Sequence, residues 1–183
     1  IEADSFSWLK FLVILDLSFN RFRNLGEKNT IMSQQIYLTN NYYFNSLANI
    51  NFISNNLKIY MANNNFISFS LNLVWNKIAL NEIDFSNNKI RNLKSVNEFY
   101  VKQKTIRLTK LKLDSNNMGY IEENSILDRF KLLEYLDLSI NSLTHLENTF
   151  NQLFKLKYLN LSNNRLEIIK RDLFKYSKKL IWL

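Results

Sequence analysis

The amino-acid sequence predicts an α/β-class solenoid: short parallel strands stacked into one sheet on a concave wall, with loops and short helices returning on the convex side. Three observations predict it. The first is a motif, Leu156-x-x-Leu159-x-Leu161-x-x-Asn164-x-Leu166, a pattern that neither an ordinary helix nor an isolated strand requires. The second is the recurrence of that motif along the whole chain. The third is its spacing: the asparagines fall at Asn20, Asn41, Asn64, Asn88, Asn116, Asn141 and Asn164, steps of 21, 23, 24, 28, 25 and 23 residues that average 24. Self-similarity at roughly 20–50 residues marks stacked repeats, each too small to bury its own apolar face.

Within one copy the two close leucines form a short strand that points them inward and the residues around them outward. The chain must then turn sharply, and an asparagine at that corner can bond backbone groups of its own turn and of the neighbouring copy, which stacking would otherwise bury unpaired.

In chain order, the first copy is Leu12, Leu15, Leu17, Asn20 and Phe22, running to about Thr30 with Gly26 offering a turn after Leu25. The second is weaker, with Ser33 in the place of the first leucine before Ile36, Leu38, Asn41 and Tyr43. The third has Asn56 in that place, then Ile59, Met61, Asn64 and Phe66. A rival register one residue later (Leu57, Tyr60, Ala62, Asn65, Ile67) ranks lower because it buries Tyr60 and exposes Met61. Leu80, Ile83, Phe85, Asn88 and Ile90 make the fourth copy, whose long return includes residues 95–102, a short convex helix by its apolar spacing with Val96, Phe99 and Tyr100 inward. The fifth is Leu108, Leu111, Leu113, Asn116 and Met118, and the sixth Leu133, Leu136, Leu138, Asn141 and Leu143.

These copies resemble the leucine-rich-repeat family over essentially the whole chain. The return segments are similar to its extracellular 24-residue type, with an apolar staple followed by Phe-x-x-Leu-x-x-Leu: Leu143, Leu146, Phe150, Leu153 and Leu156 in one copy, Leu166, Ile169, Phe174 and Leu180 in the last, and Ile1, Phe6, Leu9 and Leu12 at the start. The resemblance implies a right-handed horseshoe and a recognition module with no chemistry of its own. The Leu-Asp-Leu-Ser-x-Asn form at Leu15–Asn20 and Leu136–Asn141 most resembles ectodomains of Toll-type receptors and chaoptin-like adhesion proteins. That implies signal transduction or adhesion, a protein ligand or a second copy as partner, and a place outside the plasma membrane or in secretion. The rival is an intracellular scaffold or regulatory subunit of the same fold, in the cytoplasm.

The bounds agree with one array over residues 1–183. Hydrophobic residues make up 46% at a mean hydropathy of −0.22, and no apolar run approaches the roughly 18 residues of a membrane span, so any membrane attachment belongs to a segment outside this chain. Ile1 sits mid-repeat and Leu180 and Leu183 begin another motif, so the expectation is an internal fragment of a longer protein with both caps missing. The absence of cysteine fits either a reducing compartment or disulfide-bonded caps that lie elsewhere. The net charge of +8 is diffuse, gathered at Lys170, Arg171, Lys175, Lys178 and Lys179 and at Lys94, Lys102, Lys104 and Arg107, and reads as a solvated convex face in preference to a surface for nucleic acid, heparin-like polyanion or anionic membrane. No enzyme, metal or cofactor is expected: His145 is the one histidine, and there is no glycine-rich phosphate loop.

Function is therefore sought on the concave sheet. Its middle column reads Asp16, Tyr37, Tyr60, Asp84, Lys112, Asp137 and Asn160, and the column two residues earlier Ile14, Gln35, Lys58, Glu82, Lys110, Tyr135 and Tyr158. Stacking places Glu82 beside Lys110, and Lys112 between Asp84 and Asp137, an alternating row that either neutralises the sheet or forms a polar ligand footprint. Tyr37, Tyr60, Tyr135 and Tyr158 are candidate anchors, since tyrosine is large, amphipathic and loses little freedom on binding, although strands favour it on packing grounds as well. Asn160-Leu161-Ser162 is the one glycosylation sequon, and a glycan there would stand on the concave sheet.

Overall fold

A computed structural model describes residues 1–25, 29–43, 51–69, 80–93, 106–122 and 124–183. Its strands are β1 (Ile14–Asp16), β2 (Thr30–Ile31), β3 (Gln35–Tyr37), β4 (Asn51–Phe52), β5 (Leu57–Tyr60), β6 (Leu80–Asp84), β7 (Asn92–Leu93), β8 (Lys110–Lys112), β9 (Tyr120–Ile121), β10 (Tyr135–Asp137) and β11 (Tyr158–Asn160). Strands this short have no stability alone. Seven of them join in one parallel sheet, in the order β1-β3-β5-β6-β8-β10-β11, so that each copy of the motif supplies one rung.

The rungs are in register. Leu15, Ile36, Ile59, Ile83, Leu111, Leu136 and Leu159 pair in succession and form one inward row. The second row is tied by one amide per rung: Leu17 N–H donates to Tyr37 O, Leu38 to Tyr60, Met61 to Asp84, Phe85 to Lys112, Leu113 to Asp137 and Leu138 to Asn160. Leu38, Met61, Phe85, Leu113 and Leu138 are fully buried, each contributing about 1.5–3 kcal/mol by leaving water. Leu17 and Leu161, on the outer rungs, are only partly buried because one neighbouring rung covers them.

Where leucine is replaced the core adapts in a recognisable way. Phe66 and Phe69 meet Phe85 edge to face at centroid distances of 5.1 and 5.4 Å, and Phe69 meets Phe130 at 6.3 Å. The second copy retains two defects: the Ser33 hydroxyl and the Tyr43 hydroxyl are buried with no hydrogen-bond partner among the described residues. Burial alone holds the Tyr43 phenol well above its ordinary pKa.

The third copy follows the favoured register, with Ile59 and Met61 fully buried and Tyr60 half-exposed, but its first position is corrected. Leu57, not Asn56, points into the core, because the pairing of β5 with β6 shifts between Leu57↔Leu80 and Lys58↔Glu82. The bulge leaves Asn81 extra on β6, and its amide donates to Asn56 at 2.9 Å. An apolar side chain one residue out of step thus reaches the core without shifting the rest of the rung.

The corner asparagines explain why the rungs can stack. Asn88 Nδ2 donates to Phe85 O and Ser86 O of its own turn and to Met61 O of the preceding rung, while its Oδ1 accepts the Phe66 amide. Asn41, Asn64, Asn116, Asn141 and Asn164 repeat this set one rung along. Asn20, on the first rung, is exposed and bonds Leu17 O and Ser18 O of its own turn.

One regularity escaped the sequence reading. The residue before each corner asparagine has a left-handed backbone, with φ between 51° and 56° at Phe19, Asn40, Asn63, Asn87, Ser115, Ile140 and Asn163. Asparagine tolerates that region and accounts for the doubled Asn-Asn of four copies, whereas β-branched Ile140 is strained there.

The return segments differ from the expected convex helices. Among the described residues the helical element is a single 3-10 turn, Ile126–Arg129, whose start is capped by the Ser125 hydroxyl accepting from Leu127 N–H. Two small parallel sheets, β2 with β4 and β7 with β9, pair adjacent returns instead. Phe150 and Phe174 stack at 6.0 Å, but Ile169, expected to be an inward staple, is 53% exposed on the outermost turn, where it packs against one neighbour at most. Leu9 is likewise exposed on the first turn. The turn at Gly26 and the helix at 95–102 lie outside the described residues.

Candidate functional site

Because the inward leucines fix the strand faces, the side chains between them stand on the opposite face in two continuous columns. Glu82, Lys110 and Tyr135 are adjacent by strand register, as are Asp84, Lys112 and Asp137. Side-chain geometry then sorts them. Glu82 receives two ammonium groups, Lys110 at 2.9 Å and Lys58 at 3.6 Å, and Asp84 pairs with Lys112 at 3.4 Å. Partly exposed pairs of this kind contribute about 0.2–1 kcal/mol each.

The alternating row does not continue to Asp137. Lys112 leans back to Asp84, and burial, the largest single effect on its charge, is outweighed by the attraction and hydrogen bond of that carboxylate together with Tyr135 and Asp114, so its pKa lies above the ordinary lysine value. Asp137 instead accepts the Ser139 amide at 3.0 Å and the Ser139 hydroxyl at 2.6 Å. Asp84 does the same with Ser86, and Asp16 and Asn160 accept the amides of Ser18 and Ser162. One oxygen of the middle column therefore shapes the turn that leads to the corner asparagine, a local reason for the Leu-Asp-Leu-Ser pattern.

The tyrosines gather at the two ends of the face. Tyr37 and Tyr60 stack at 4.6 Å with ring planes 13° apart, and the Tyr37 hydroxyl bonds Gln35 at 2.8 Å. Burial, followed by the charge of Glu82, pushes the Tyr60 phenol up to about 12. Tyr135 and Tyr158 lie 6.2 Å apart with tilted rings; Lys110 Nζ sits 5.3 Å from the Tyr135 centroid, and Tyr158 is 41% exposed.

Asp114 is a member of this face that the two-column reading missed. It occupies a third column, held in the other rungs by Ser18, Thr39, Ala62, Ser86, Ser139 and Ser162. Burial and the nearby Asp137 and Asp84 carboxylates raise its pKa, against a smaller opposing pull from Lys112. The signal that could have found it is the change from a small residue to a charged one at a fixed place in the repeat.

Asn160 is half-buried on β11, with its Oδ1 held by Ser162 N–H at 3.1 Å and its Nδ2 against Asp137 Oδ2 at 3.4 Å. His145 is exposed on a return turn beside Thr144 Oγ1. Among the described residues no helix is long and apolar enough to cross a membrane.

Residues 106–166 match the Leucine rich repeat family, the stretch that holds the fifth to seventh rungs. The chain has the leucine-rich-repeat fold. Solved structures of the same fold extend over nearly all of it. A leucine-rich-repeat protein of Leptospira interrogans superposes with a TM-score of 0.59 at 19% identity, covering 94% of this array and 54% of the other chain. TLR13, in its complex with ssRNA13, gives 0.62 at 21% identity, covering 92% and 32%. An internalin of Listeria monocytogenes gives 0.54 at 17% identity, covering 96% and 61%. The array thus spans about half of the Leptospira protein and about a third of the TLR13 chain. At these identities the likeness is one of fold. No curated protein matches the sequence of the array.

Proposed function

We propose that this array is the ligand-binding part of a cell-surface receptor or adhesion ectodomain, and that it engages a protein ligand or a second copy through the sheet face. The observation that carries this is the face itself: seven rungs locked by the corner asparagines present two tyrosine pairs on either side of an ion-paired band, a rigid, amphipathic surface suited to protein partners. The leucine-rich-repeat fold is a protein-interaction fold, which supports the coarser part of the reading. TLR13 is seen with an RNA, but Glu82, Asp84, Asp114 and Asp137 on the present face disfavour a phosphate backbone.

The test is a screen of the array against secreted and membrane-displayed proteins, followed by paired substitutions. Tyr135→Ala with Tyr158→Ala should weaken a partner found this way at least about tenfold while leaving the circular-dichroism melt unchanged. Undiminished binding would remove the tyrosines from the site. An intracellular scaffold is the second reading, favoured by the absence of cysteine. A signal peptide and cysteine clusters in the reading frame that carries this segment would support the ectodomain, and a frame lacking both the scaffold.

A further inference from the structure

The cations of the sheet face are already engaged. Lys58 and Lys110 converge on Glu82, Lys112 leans to Asp84, and at the margin Lys157 bonds Glu134 at 2.7 Å. Asp114 and Asp137 are left without an ion-pair partner among the described residues. Asp114 has a bond from its own backbone and one long side-chain contact, 3.4 Å from the Ser115 hydroxyl. Asp137 uses Oδ1 for Ser139, and its Oδ2 has only the Asn160 amide at 3.4 Å and the Tyr135 hydroxyl at 3.5 Å. In a chain of net charge +8 this corner of the face is locally acidic.

Beside it stands an aromatic platform that already accepts a cation. Lys110 Nζ lies over the Tyr135 ring, and the neighbouring Tyr158 ring, at 38° to it, is open to solvent. A planar guanidinium meets both features at once, with paired N–H groups for carboxylates and a flat face for the rings.

We infer that the sheet face of the last three rungs docks a basic segment of a partner protein, with an arginine side chain lying between the Asp114 and Asp137 carboxylates and the Tyr135 and Tyr158 rings. This rests on the sheet face being the ligand surface and adds the chemistry of the ligand. Charge complementarity selects the occupant: an acidic segment would bring like charge to two carboxylates that lack an ion-pair partner, and a neutral one would leave them facing it unpaired. The repeat places a small residue at the position of Asp114 in the other rungs, so the charge is a departure at this one place and not a need of the stacking.

The test is titration of the ¹⁵N-labelled chain with nona-arginine and, separately, nona-glutamate, followed by amide shifts. Nona-arginine should bind saturably despite the positive net charge and move the amides of 110–115, 135–139 and 158–160. Asp114→Asn should weaken it about tenfold and Tyr158→Ala several-fold, with the rest of each spectrum unchanged. Nona-arginine that leaves those amides unmoved, or that binds Asp114→Asn as tightly, overturns the inference. Nona-glutamate on the same amides would also overturn it while leaving the sheet face a binding surface, whereas shifts confined to the return turns for both peptides would count against the face as well.

Discussion

Asn64 and Asn88 sit at successive corners and make the same bonds with the same partners one rung along, whereas Tyr60 and Asp84, their rung-mates on the sheet face, have nothing in common. The difference teaches where repetition is required and where it is not. A corner side chain must serve two rungs at once, in a place sealed from water, with one amide that donates three ways and accepts once; no other side chain has that shape and inventory. A side chain on the sheet face meets solvent on one side and so can vary rung by rung. Uniform columns therefore describe the scaffold, and columns that vary describe what this particular array recognises.

The largest way to break that comparison is to remove one corner. Asn88→Ala leaves the Phe66 amide unpaired in the buried wall and removes one of two asparagine donors from the Met61 and Phe85 carbonyls, which keep Asn64 and Asn116, and the expected loss is about 1–3 kcal/mol, read as a lower urea midpoint. Solenoid energetics are nearest-neighbour in character, so hydrogen exchange should quicken first in the third and fourth rungs. A loss below about 1 kcal/mol would mean that water replaces the asparagine, and the corner column would no longer differ in kind from the sheet face.

Most of the scaffold was legible in the sequence because the corner asparagine and the paired leucines leave so few options. Ile59 and Met61 could be preferred to Tyr60 and Ala62 from side-chain character alone, and the pairing follows that choice. Asn56 and Leu57 could not, since a one-residue bulge is a matter of local strand geometry that no period reveals. Ile169 reads as a staple by spacing, yet spacing says nothing of how many turns pack over it. On the sheet face, register told which side chains are neighbours but not which neighbour an ammonium will choose. Lys112 stands between Asp84 and Asp137, each of which already holds a serine amide and hydroxyl on one oxygen, so the repeat pattern alone does not tell the two carboxylates apart.

The left-handed position sharpens the comparison from within the scaffold, since it is uniform in conformation but not in residue. Ile140 holds a φ of 51° with its side chain 53% exposed, so its strain is not offset by burial. Ile140→Asn should stabilise the array by about 1 kcal/mol, and the reverse change, Asn163→Ile on the next rung, should lower stability by a similar amount. Equal midpoints for wild type and Ile140→Asn would show that the turn relaxes to accept a β-branched residue.

The smallest effect concerns a residue that serves the varied columns at the expense of the scaffold. Burial first, then Asp137 and Asp84, raise the folded-state pKa of Asp114 above its ordinary value of 3.8. Between those two pKa values the folded chain holds the proton more tightly than the unfolded chain, so stability falls as pH rises through that window. Above it the charge is a full penalty, and below 3.8 the penalty is gone. Asp114→Asn should therefore be slightly more stable than wild type at pH 7, with the gap closing as the pH is brought down towards 3.8, in denaturation midpoints taken at matched ionic strength. The same substitution is expected to weaken an arginine-bearing peptide, so stability and recognition should move in opposite directions at this one position. A variant less stable than wild type at neutral pH would place Asp114 with the corner asparagines, as a part of the stacking itself.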